Sequence, residues 1–122
     1  MKIETSIGEI VDKLTILEIK KSKINDPDKL KNINLEYSYL YPIVFSDPIN
    51  IAQEDYSELF QINSKLWEIE DDIRKFEDLN DFGEAFIELA RSVYKTNDLR
   101  ALVKRRINEK HNSLFKEEKS YK

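Results

Sequence analysis

Ile51-Ala-Gln-Glu-Asp-Tyr-Ser-Glu-Leu-Phe-Gln-Ile-Asn-Ser-Lys-Leu-Trp-Glu-Ile-Glu-Asp-Asp-Ile-Arg-Lys-Phe-Glu-Asp-Leu79 contains no glycine and no proline. Its apolar residues recur at helical spacing. Leu59, Ile62, Leu66, Ile69, Ile73 and Phe76 fall on one stripe at about 100° per residue, so the stretch reads as one long helix. Tyr56, Phe60 and Trp67 fall off that stripe and form a second apolar face. Such a face on a helix of a small protein needs a cover, from this chain or from another copy. The expectation drawn from it is a homo-oligomer assembled through Tyr56, Phe60 and Trp67. Helix two, or Leu114 and Phe115 of the C-terminal segment, are the alternatives within the chain.

Similar patterns lie on both sides of this segment. Ser6-Ile7-Gly8-Glu9 has the form of a capping box, followed by the apolar positions Ile7, Ile10, Val11, Leu14 and Leu17. Ile16 and Ile19 lie on another side, which predicts a first helix buried on two faces. Asn25-Asp26-Pro27 stops that helix and starts a second, with Asp26 as cap and Pro27 in the first turn. Leu30, Ile33, Tyr37, Leu40 and Tyr41 carry it to Pro42, and residues 42–50, with Asp47-Pro48, read as a loop. Asn80-Asp81-Phe82-Gly83-Glu84 is a further restart, with Asp81 as the expected cap. The stripe Phe82, Ala85, Phe86, Leu89, Ala90 and Val93 follows. The fold class is all-α: a single domain over residues 1–122, bundle-like, of four or five helices with one long central helix and a charged tail at 112–122.

Composition narrows the chemistry. The chain has 122 residues and no cysteine, which excludes disulfides, thiolate zinc sites, iron–sulfur clusters and thiol nucleophiles. One histidine, His111, excludes a two-histidine metal motif, and its polar surroundings mark it as a surface residue. No apolar run reaches the length of a membrane span, and Met1-Lys2-Ile3-Glu4 does not open like a secretion signal, so the expected setting is the cytoplasm. Charge is divided into blocks. Residues 47–88 carry three basic and thirteen acidic side chains (net −10), and residues 91–122 carry ten basic and four acidic (net +6). Two such blocks neutralise each other when packed side by side, or line one pocket holding a phosphate and a cation. The overall charge of −4 makes nucleic acid a poor partner.

Three polar clusters are candidates for chemistry. Glu9 and Asp12 are neighbours on helix one, while Glu18 falls among apolar positions and must be bonded or paired to be tolerated there. The second cluster is Glu68, Glu70, Asp71 and Asp72, in which Glu68 and Asp72 are one turn apart beside the stripe of the long helix. Carboxylates from two helices can hold magnesium as hard oxygen ligands, so Glu9, Asp12, Glu68 and Asp72 form a candidate metal set.

The third cluster is Arg91, Tyr94, Lys95, Asn97, Asp98, Arg100, Lys104 and Arg105, of which Arg91, Tyr94, Asn97, Arg100 and Lys104 form the candidate binding set for an anion. If the helix from Phe82 runs straight through, the stripe of Phe86, Leu89 and Val93 continues as Asn97, Arg100 and Lys104 and turns polar. If it breaks at Thr96-Asn97-Asp98, Asn97 is a cap and the core resets to Leu99, Leu102, Val103 and Ile107. The dihedrals of Asn97 separate the two. No nucleophile–base pair and no Gly-rich phosphate loop is present, and no catalytic residue is assigned.

Several strings resemble a bacterial and phage family of unknown function. They are Ser6–Lys20 (SIGEIVDKLTILEIK), Leu66–Arg74 (LWEIEDDIR) and Ala90–Arg100 (ARSVYKTNDLR). The resemblance spans nearly the whole chain and supplies no activity. The reading that follows from the clusters is a small helical protein binding an anionic, phosphorylated small molecule such as a nucleotide or nucleotide sugar, with magnesium-assisted phosphate-ester or pyrophosphate chemistry where activity exists. The alternative is a non-catalytic, homo-oligomeric helical interaction protein.

Overall fold

The computed structural model describes residues 3–111. The tail at 112–122, with Leu114 and Phe115, lies outside them. Four helices and no strand are found among the described residues: α1 (Ile7–Lys23), α2 (Pro27–Val44), α3 (Gln53–Asp78) and α4 (Glu84–Lys110). The all-α class and the long third helix are as the periodicity predicts.

The helix boundaries follow local chemistry. At α1 the Ser6 hydroxyl accepts from the Glu9 N–H at 3.3 Å. The Glu9 carboxylate pairs with Lys104 on α4. At α2 Asp26 Oδ1 accepts from the N–H groups of Asp28 (2.9 Å) and Lys29 (3.3 Å), and Pro27 occupies the first helical position. The predicted stop at Pro42 is a correction, because the helix runs through it to Val44. A proline this close to the end removes one N–H from the ladder, and the fully buried Val44 fixes the last turn in the core.

The α3–α4 turn satisfies the last carbonyls of α3. The Asn80 N–H donates to the Glu77 carbonyl and the Asp81 N–H to the Phe76 carbonyl, with Asn80 at φ 54°. This is the Schellman arrangement, and asparagine tolerates its left-handed residue. The cap of α4 is Gly83 rather than Asp81, whose carboxylate instead accepts from the Gly83 N–H at 3.2 Å.

Helix α1 packs against α2, α3 and α4, whereas α2 packs on α1 alone among the helices. The core is therefore a three-helix arrangement of α1, α3 and α4 with α2 laid on the outside of α1. Val11, Leu14, Val44, Ile51, Tyr56, Leu59, Val103 and Ile107 make up its main cluster. All of it gathers where the first half of α3 meets the second half of α4. From residue 70 to 95 no side chain is buried. That part of the α3–α4 hairpin is an arm without a buried residue, in which Ile73, Phe76, Phe86, Leu89 and Val93 are half-buried.

Of the Tyr56, Phe60 and Trp67 face, Tyr56 is covered within the chain. Tyr56 is buried, its ring lies 5.1 Å from that of Phe45, and its hydroxyl donates to Glu18 Oε1 at 2.7 Å. Phe60 and Trp67 are half-buried. Phe45, just after α2, covers Tyr56, whereas Phe60 and Trp67 keep part of their surface open.

Candidate functional site

Helix α4 is continuous through Asn97, so no second cap exists there. Its inward face is Thr96, Val103 and Ile107, all buried, with Arg100 and Lys104 beside them. Elements of both expected registers therefore coexist. The helix is unbroken and brings Arg100 and Lys104 inward, yet Val103 and Ile107 form the core and Asn97 is exposed.

Arg100 meets Asp12 across the α1–α4 contact. Its Nε donates to Oδ1 at 2.9 Å and its Nη2 to Oδ2 at 2.5 Å. Asp12 is only 3% exposed. Asn63 on α3 donates through Nδ2 to Asp12 Oδ1 at 2.9 Å and to Thr15 Oγ1 at 2.8 Å, and the Thr15 hydroxyl donates to the Asp12 carbonyl at 2.7 Å. One polar network thus ties three helices together inside the core. Burial pushes the Asp12 carboxyl up, but the hydrogen bonds from Arg100 and Asn63 and the charges of Arg100 and Lys104 outweigh it and hold the group below its ordinary value. Arg100 is raised, first by its bonds to Asp12.

A second network closes the other edge. Asp55, also 3% exposed, accepts from Arg106 at 3.0 Å and from Lys110 at 2.7 Å, and Arg106 also reaches Glu58 at 2.5 Å. Burial raises the Asp55 carboxyl while Lys110 and Arg106 lower it, and the net shift is downward. Glu18 is satisfied by Tyr56, whose own ionisation is pushed far up by burial and then by that carboxylate. Among the described residues no buried side-chain nitrogen or oxygen lacks a partner.

The candidate metal set is not assembled. Glu9 pairs with Lys104 and Asp12 with Arg100, Glu68 is exposed, and Asp72 lies 3.8 Å from surface Lys75. Among the described residues no group of three or more His, Cys, Asp or Glu side chains is placed to hold a metal ion. The physical reason is that α1 turns Glu9 and Asp12 towards the cations of α4, whereas Glu68 faces water. Glu70, rather than Glu68 or Asp72, shares a cleft with Arg100, Asn63 and Trp67.

The candidate anion set is divided as well. Arg91, Tyr94 and Asn97 are exposed, while Arg100 and Lys104 are turned inward and paired. Six residues separate Tyr94 from Arg100, which at about 100° per residue puts them on different faces of one helix. A groove between α1 and α2 is lined by Glu9, Asp12, Lys13, Lys20 and Glu36 with apolar side chains such as Ile10 and Ile16. Three acids against two bases give it no preference for an anion.

Gly8, Thr15, Asp55 and Asn63 were not singled out from sequence. Asn63 carried a signal, since it lies between Leu59 and Leu66 on the apolar stripe of α3. Gly8 packs so closely on α4 that an added Cβ would sit 2.7 Å from the Lys104 carbonyl oxygen, and its N–H donates to Asn108 Oδ1 at 2.7 Å.

The sequence matches DUF6165, a family of unknown function, over residues 1–122. The chain belongs to that family. No curated protein and no solved structure shows significant similarity to this DUF6165 chain.

Proposed function

We propose that this chain is a non-catalytic helical interaction module. The observation that carries the reading is the α3–α4 arm. Residues 70–95 bury no side chain, yet Leu79 is 75% exposed, and Phe82, Ile87 and Tyr94 are each exposed to half or more. Exposed apolar side chains on an arm that holds no buried residue are the composition of a contact surface rather than of a solvated spacer. The polar clusters support the same reading. Arg100 and Lys104 already have carboxylate partners, so a phosphate would have to displace Asp12 and Glu9 to reach them. Their charges hold α1 on α4, as a scaffold requires.

Thermal unfolding tests this reading against the small-molecule one. An interaction module that associates gains stability with protein concentration and is not stabilised by nucleotides, nucleotide sugars or inorganic phosphate, with or without magnesium. Selective stabilisation by one phosphorylated compound at millimolar concentration would favour the binding reading and overturn this one.

A further inference from the structure

Along α4 one exposed stripe has no partner among the described residues. From Glu84 to Arg105 it consists of eight exposed residues, Glu84, Ile87, Arg91, Tyr94, Lys95, Asp98, Leu102 and Arg105, and exposed Glu109 extends it beyond the eight. At about 100° per residue these eight lie within a sector of about 100°. It points away from the inward face of Thr96, Val103 and Ile107. Among the described residues none of the five charged members makes an ion pair, although Glu9, Asp12, Asp55 and Glu58 elsewhere all do. Arg91 and Lys95, one turn apart, repel each other along the helix.

The order of this stripe is complementary to its own reverse. From Glu84 to Arg105 its members follow at steps of three, four and three, then the Tyr94–Lys95 pair, then three, four and three, so the spacing is unchanged when read backwards. A two-fold axis between Tyr94 and Lys95 sets each residue i against residue 189 − i of a second copy. Glu84 then meets Arg105, Ile87 meets Leu102, Arg91 meets Asp98, and Tyr94 meets Lys95. Every pair is acid with base, apolar with apolar, or ring with cation. Parallel self-pairing would set each charge against its own copy.

We infer that two copies of this chain associate through an antiparallel α4–α4 contact centred between Tyr94 and Lys95. The inference rests on the interaction reading and makes it specific. Each contact occurs twice by symmetry, as an isologous interface requires. The seam runs from Glu84 to Arg105, about 32 Å at 1.5 Å per residue. One helix on one helix is small for an interface, so charge matching decides the partner more than affinity does.

Sedimentation of the full chain from micromolar to millimolar concentration, with charge variants and single cysteines, tests the contact. Arg91→Asp alone faces Asp98 of the second copy and should weaken association about tenfold or more, while Arg91→Asp with Asp98→Arg restores it and shows that both variants fold. The chain has no cysteine of its own. Lys95→Cys should therefore be joined to its copy by a short thiol crosslinker, whereas Arg105→Cys, about 32 Å from its copy across the axis, should not. A monomer at every concentration overturns the inference and leaves the interaction reading to the ligand screen. Association that ignores Arg91→Asp, or Arg105→Cys crosslinking as well as Lys95→Cys, overturns the antiparallel seam and places the interface elsewhere.

Discussion

Arg100 holds both carboxylate oxygens of Asp12, through Nε at 2.9 Å and Nη2 at 2.5 Å, in the contact between α1 and α4. The side chains are 28% and 5% exposed, so water screens the pair weakly. A bidentate guanidinium–carboxylate pair fixes orientation as well as distance. Here it fixes the register of two antiparallel helices, with Glu9–Lys104 and Gly8–Asn108 on the same seam. Removing one partner leaves the other charge in the core. Arg100→Ala is therefore expected to cost about 3–5 kcal/mol, read as a shift in urea midpoint, and Asp12→Leu with Arg100→Met should recover most of it. A double variant no more stable than Arg100→Ala would show that packing, rather than the stranded charge, carries the cost.

Stability should fall in acid. Asp12 and Asp55 both have lowered folded-state values, so their contribution is complete above the unfolded carboxylate value of about 3.9 and is lost as pH falls through the lower folded values. The midpoint of thermal unfolding should be insensitive to these groups near neutrality and drop below about pH 4. Asp55→Asn should flatten that drop while lowering the plateau, because Arg106 and Lys110 then lose their charged partner. An unchanged acid slope in Asp55→Asn would remove Asp55 from the account.

Gly8→Ala tests the closest approach of α1 to α4. Gly8 is helical and needs no special backbone angle. What it provides is the missing Cβ, whose position lies 2.7 Å from the Lys104 carbonyl oxygen and 3.0 Å from Asn108 Oδ1. Backbone cannot swing aside as a side chain does, so α1 must back off and loosen the Glu9–Lys104 pair. The expected loss is about 1–3 kcal/mol, against the gain alanine gives in an ordinary helix interior. Stabilisation on Gly8→Ala would show that the contact relaxes freely.

The fold was legible where one rule acted alone. Apolar spacing defined α1 and α3, and Asp26-Pro27 marked the start of α2, because each depends on neighbours a few residues away. Pro42 was misread because its single lost hydrogen bond is outweighed by burial of Val44, a tertiary effect. The site was legible in part for the same reason. Glu18 had to find a partner on an apolar face and found Tyr56, but nothing local says that Arg100 turns to Asp12 rather than to a ligand. The sequence leaves the register of α4 open at Asn97 because its pattern changes there, from a half-buried stripe in the arm to one that packs in a three-helix core.

Hydrogen exchange should divide the molecule at that boundary. Amides of 100–107 in α4 and 56–66 in α3 flank the buried Leu59, Asn63, Val103 and Ile107, and open only with the core. Amides of 70–95 lie where no side chain is buried and should exchange faster by orders of magnitude, through local opening of the arm. An antiparallel α4–α4 contact adds a concentration dependence. Protection over residues 84–95 should rise with protein concentration, while protection over 56–66 stays constant. Uniform protection along α3 and α4 at low concentration would mean that the arm and the core open together, and that the arm is not a separable contact element.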